Sequence, residues 1–170
     1  MNDIIKKAQH GDKQAFSQLV HLHMQTMYKT AWAYLGNDED AADVIQETIL
    51  ACYEKLDTLR HPRYFKTWLT RILINKCKDF LKLRSRQTLT EIFSEPSYEE
   101  NGFHECEWKE VLSCLDEKYR IVLALYYGQR MNVKEIAALL DLKENTVMTR
   151  LARAREKLRR EYEGGIIYGR

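Results

Sequence analysis

Apolar residues recur three and four positions apart along most of this 170-residue chain, which is the spacing that keeps them on one face of a helix. The stretch DEDAADVIQETILACYEKL shows the pattern: Ala41, Val44, Ile45, Thr48, Ile49, Cys52 and Leu56 form an apolar face, while Asp40, Asp43, Glu47 and Glu54 form an acidic stripe with Gln46 beside it. Few segments alternate apolar and polar residues at period two, and the chain has only 7 Gly and 2 Pro. The expectation is an all-α protein without a sheet.

In the first half the pattern predicts helices near 2–10, 12–35, 38–58 and 62–84. Gly11, Gly36-Asn37-Asp38 and His61-Pro62 supply the breaks, with Asp12 and Asp38 as N-caps. In the second half it predicts helices near 107–115, 116–128, 132–139 and 143–162, separated by Asp116, Gly128 and the Asp141-Leu142 turn. Gly164-Gly165 should end the last of them, leaving a short tail over 164–170.

Composition and charge divide the chain. The 45% hydrophobic content suffices for real cores, and net charge is only +2. Residues 85–107, however, hold one basic and six acidic residues, together with Pro96 and Gly102 and little helical periodicity. The expected organisation is two small helical domains, 1–84 and 108–163, joined by a flexible acidic linker over 85–107. No apolar run approaches the roughly 20 residues needed to cross a bilayer, and MNDIIKKAQHGDK lacks the apolar core of a signal peptide. The expected location is therefore the cytoplasm. Cys52, Cys77, Cys106 and Cys114 form no CxxC pair, which argues against a disulfide framework or a zinc ribbon.

Charge also collects at 141–160, DLKENTVMTRLARAREKLRR, where seven cations face three carboxylates. Just before it, Val133, Ile136, Ala137 and Leu140 make a short amphipathic helix, and a tight turn follows. Val147, Leu151, Ala154 and Leu158 then line one arc of the next helix, opposite Asn145, Thr149, Ala152 and Glu156, with Arg153 at the edge. Helix, turn and basic second helix form the pattern of a helix-turn-helix, whose second helix reads the major groove while flanking cations meet phosphates. In RHPRYFKTWLTRILINKCKDFLKLR, Tyr64, Phe65 and Trp68 interleave with cations, a combination suited to unpaired bases on a charged strand. For Trp68 taken alone, core packing is the stronger reading.

The ordered series DVIQET, FKTWLTRILINKCKDFLKLR, a variable acidic linker and LDEKYRIVLALYYGQRMNVKEIAALLDLKENTVMTRLARAREKLR resembles a bacterial RNA polymerase sigma factor of the ECF type. The resemblance implies that Asp43, Gln46 and Glu47 dock on the clamp helices of the polymerase β′ subunit. It implies that Leu59, Arg60, His61, Tyr64 and Phe65, with Ile72 and Asn75, hold a flipped base of the −10 element, while Trp68 and Asp79 support melting. Capturing an extruded base would offset part of the cost of unstacking. It further implies −35 reading by Asn145, Met148, Thr149, Ala152 and Arg153, phosphate or intradomain contacts by Arg150 and Arg155, and docking of the second domain on the β flap. Where the family often has a basic residue this chain has Met148, and where it often has a larger one it has Ala152, departures that bear on promoter sequence. Glu91, Glu95, Glu99, Glu100, Glu105 and Glu107 suit a linker that occupies the RNA exit path.

The implied partners are core RNA polymerase, promoter DNA and an anti-sigma factor, including a membrane-anchored one, with no insertion of this chain into the membrane. No catalytic residue, cofactor or metal is expected. Two other classes compete: a free-standing helix-turn-helix repressor, which needs a dimerisation surface, and an enzyme. His21 with His23, or His104 with Cys106 and Cys114, could supply a metal or thiol site, but their spacings fit no standard zinc pattern.

Overall fold

The computed structural model describes residues 1–87 and 103–168, with side chains at 1–86 and 108–161. Every regular element among them is helical: α1 (Asn2–Gln9), α2 (Lys13–Leu35), α3 (Asp38–Lys55), α4 (Phe65–Gln87), α5 (Phe103–Ser113), α6 (Glu117–Leu123), α7 (Val133–Leu140) and α8 (Glu144–Tyr168), plus short 3-10 and π turns. The chain divides into two compact units, 1–94 and 95–170. The expected linker falls largely outside the described residues, including Glu91, Glu95, Glu99 and Glu100. Its ends are helical, because α4 runs three residues beyond the expected stop and α5 begins at Phe103.

In the first unit α2, α3 and α4 pack around one core, with α1 against α2. Ile5, Leu19, Met27, Val44, Leu73 and Ile74 are fully buried at their centre. Gly11, at φ +90, turns the chain from α1 into α2, and the Asp12 carboxylate accepts from the Gln14 and Ala15 amides to cap α2 as expected. At the next corner the expected cap is corrected: Asn37, not Asp38, is the N-cap of α3 and accepts from the Asp40 amide at 2.8 Å. Gly36 has already taken the left-handed conformation that closes α2, so Asn37 is extended and its side chain meets the next helix start, while Asp38 lies inside the helix.

The helix expected over 38–58 stops at Lys55 and tightens into a 3-10 turn, Leu56–Thr58; the one expected from 62 begins at Phe65 after a second 3-10 turn, Pro62–Tyr64. Pro62 pulls His61 into an extended conformation, which holds the two helices apart as a loop. Cys52 and Cys77 are buried in this unit, and burial pushes both thiols up to about 12.

The second unit is built on α6, α7 and α8, whose Val122, Ile136, Val147 and Ala154 are buried together with Leu125 of the turn that follows α6. The helix expected over 116–128 starts at Glu117 and widens into a π turn, Ala124–Gly128, before the chain bends. The left-handed residue of that bend is Arg130, at φ +52, and not the expected breaker Gly128. Asn132 starts α7 with a capping box: its side chain accepts from the Glu135 amide at 2.9 Å, and its own amide donates to the Glu135 carboxylate at 2.8 Å. Asp141 closes α7 in the left-handed region, and the Leu142 amide donates to the Ala137 carbonyl at 2.9 Å. Gly164 and Gly165 do not end α8, which continues to Tyr168; two helical glycines cost about 1 kcal/mol each, too little to dictate a stop.

Candidate nucleic-acid and polymerase interfaces

On the second unit, α7, the Asp141 turn and α8 form the expected helix-turn-helix. Ile136, Ala137, Leu139, Val147 and Leu151 are buried where the two helices pack, which fixes the outward face of α8 by helical periodicity. Asn145, Met148, Thr149, Ala152 and Arg153 are all exposed on it, and the Thr149 hydroxyl donates back to the Asn145 carbonyl at 2.8 Å. Of the small pair Ala137-Ala138, only Ala137 is buried.

Five cations of α8 fall into two groups. Arg155 donates from Nε to the Tyr127 hydroxyl at 2.9 Å and lies near the Tyr126 ring. Lys157 pairs with Asp116 at 3.0 Å and lies over Tyr119, and Arg160 pairs with Glu156 on its own helix. Arg150 and Arg153, by contrast, have no carboxylate partner among the described residues. They line an open groove of about 340 Å³ with Asn145, Thr146, Thr149, Lys118 and Tyr119. Sequence reading missed Lys118, which α6 brings to this groove from 32 positions upstream of Arg150; only the α6–α8 packing could reveal it. Arg155, expected at phosphate or in an intradomain pair, is exposed and makes the contact to Tyr127.

On the first unit, Asp43, Gln46 and Glu47 are exposed on the face of α3 opposite Ala41, Val44, Ile45 and Thr48. Lys76 of α4 reaches Glu47 at 3.1 Å, and Arg84 pairs with Asp40 further along the same two helices.

The loop between the two 3-10 turns separates its residues by role. Arg60, His61 and Tyr64 are exposed, with the Arg63 guanidinium 4.6 Å from the Tyr64 ring centre and the His61 ring edge-on to Tyr64 at 6.1 Å. Leu59 and Phe65 are buried, so they anchor the loop ends. Trp68 and Ile72 are half-buried and Asn75 and Asp79 exposed; spaced four, three and four apart, these share one stripe of α4. Trp68 also packs against Phe65, with ring centres 6.0 Å apart.

Two supports of this loop were not legible in the sequence. Gln9 of α1 donates from Nε2 to the carbonyls of Leu56 and Leu59, at 3.0 and 2.8 Å, tying the loop to the N-terminal helix. His23 of α2 lies 5.3 Å from the Phe65 ring with its Nε2 buried and unpartnered. Burial, with Lys66 adding repulsion, holds its pKa below the ordinary histidine value.

Among the described residues no cluster of His, Cys, Asp and Glu could hold a metal, and no helix is long and apolar enough to cross a membrane.

With this geometry in view, comparison with known proteins gives a consistent result. Residues 19–87 match Sigma-70 region 2 and residues 107–158 match Sigma-70 region 4. The RNA polymerase sigma factor SigV of Bacillus subtilis (strain 168) is 29% identical over 143 residues, spanning 81% of this chain and 84% of that protein. The ECF RNA polymerase sigma factor SigW of the same organism is 29% identical over 175 residues, spanning 92% and 94%. A solved structure of CnrH in complex with the cytosolic domain of CnrY superposes with a TM-score of 0.68 at 29% identity, covering 96% of this chain and 97% of that one. The fold is also that of the sigma factor RpoE from Bartonella quintana, solved with the anti-sigma factor NepR, at a TM-score of 0.75, 22% identity, and 91% and 98% coverage. The chain belongs to the sigma-70 family of RNA polymerase sigma factors, in its ECF group, whose members are initiation factors and not enzymes.

Proposed function

We propose that this chain is a promoter-specificity subunit that binds core RNA polymerase in the cytoplasm, recognises −35 and −10 elements and nucleates melting. The observation that carries this reading is the helix-turn-helix face of α8, where exposed Asn145, Thr149 and Arg153 adjoin a groove with Lys118 and Arg150. Short polar groups there suit base edges in a major groove, and cations without carboxylate partners suit the phosphates beside it. Met148 and Ala152 complete the reading face, giving it an apolar contact surface for thymine methyls.

Asp43, Gln46 and Glu47 form the polymerase-docking stripe, directed at the β′ clamp helices, and the second unit docks on the β flap. Leu59 and Phe65 brace the loop that presents Arg60, His61 and Tyr64 to an extruded −10 base. Ile72 and Asn75 complete the pocket, and Trp68 and Asp79 support the opened strand beside it. An anti-sigma factor that covers these surfaces controls the protein; RpoE of Bartonella quintana, which has the same fold, was solved in complex with one.

The test is a pull-down of core polymerase followed by run-off transcription from a genomic fragment library. Binding together with new start sites is the expected result. Tight duplex binding by the isolated chain with no affinity for polymerase would instead make it a repressor.

A further inference from the structure

The acidic stripe of α3 is not equally available along its length. Helix α4 lies against α3 and reaches it with two cations, Arg84 at Asp40 and Lys76 at Glu47. The two pairs differ in kind. The Asp40 side chain is only 19% exposed and also accepts from the Asn37 amide group, so it belongs to the helix-start scaffold. Glu47 is 60% exposed, and Lys76, 35% exposed, is the cation that holds it. Asp43 and Gln46, on the same face, are exposed, and among the described residues no α4 cation pairs with Asp43.

We infer that Lys76 is a built-in competitor that sets the affinity of the docking stripe. The inference rests on the reading of Asp43, Gln46 and Glu47 as the polymerase-facing surface. A basic partner approaching this face meets Asp43 and Gln46 first and engages Glu47 only by displacing the Lys76 ammonium. One cation replaces another at the same carboxylate, so no charge is stranded. Affinity is lowered by the fraction of chains in which Glu47 is already occupied. An exposed pair of this kind shifts an equilibrium by about 1.5- to 5-fold.

The experiment is a titration of core RNA polymerase with the full chain labelled fluorescently, comparing wild type with K76Q, K76R, E47Q and the double variant. K76Q is expected to bind about 1.5- to 5-fold more tightly than wild type, a gain that shrinks as salt rises. K76R, which keeps the competing charge, should behave as wild type. E47Q should bind more weakly, and adding K76Q to it should bring no gain. Unchanged or weaker binding by K76Q, beside a weakened E47Q, overturns the competitor. Full affinity in E47Q overturns the docking stripe itself, and the competitor with it.

Discussion

Gln9 links two parts of the first unit that are about fifty residues apart in sequence. Its amide donates to the Leu59 carbonyl and adds a second donor to the Leu56 carbonyl, which already accepts from the Leu59 amide at 3.2 Å. Gln9→Leu keeps the bulk and removes the donor, and is expected to cost about 1–2 kcal/mol of stability. Open-complex formation, read by permanganate footprinting, should fall more than polymerase binding, because the loop proposed to hold the −10 base is loosened and the proposed docking stripe is not. His23 acts through pH. Its folded pKa lies below the unfolded value, so the unfolded chain takes up a proton that the folded chain resists, and stability rises with pH in that window. The stability is complete above the unfolded value of about 6.5 and declines as pH falls below it. His23→Phe should flatten the urea-midpoint profile between pH 7.5 and 5.5; an unchanged slope would assign the acid sensitivity to other groups. In the reading helix, Arg153→Ala should weaken −35 recognition in a promoter-selection assay and leave polymerase binding intact.

At the scale of elements, the helix-turn-helix is held by local chemistry that can be tested piece by piece. Asn132→Ala removes the capping box of α7 and should lower the stability of the second unit by about 1 kcal/mol in thermal unfolding. Asp141→Gly should raise it by several tenths of a kcal/mol, since the φ of +55 strains any side chain. These elements were legible because their signals are local. Apolar spacing, Asp12 beside Gly11 and the Asp141-Leu142 turn each act within a few residues, and the outward faces of α3 and α8 follow from periodicity alone. What sequence missed is non-local or a close contest. Asn37 and Asp38 are both good caps, and only the left-handed Gly36 decides between them. Gly128 looked like the breaker, but the widened turn moved the strained position to Arg130. Lys118, Gln9 and Lys76 gain their places through helix packing, which spacing along one helix does not encode.

As a whole molecule, the chain carries two cores, each drawn from its own half. Residues 1–87 and 103–170, expressed separately, are each expected to give helical circular dichroism and a cooperative melt; a featureless melt from either piece would show that its core needs the other. The thiols are divided in the same way. Cys52 and Cys77 are buried in the first unit with pKa values of about 12, which leaves on the order of one thiolate in 10⁵ at pH 7. Cys114 is exposed in the second unit. Once Cys106 is changed to Ser, a maleimide dye should therefore mark the DNA-reading half alone, without any engineered cysteine. With that single replacement the chain carries its own optical reporter: dye depolarisation would record how fast the labelled half tumbles, and how it slows when polymerase binds.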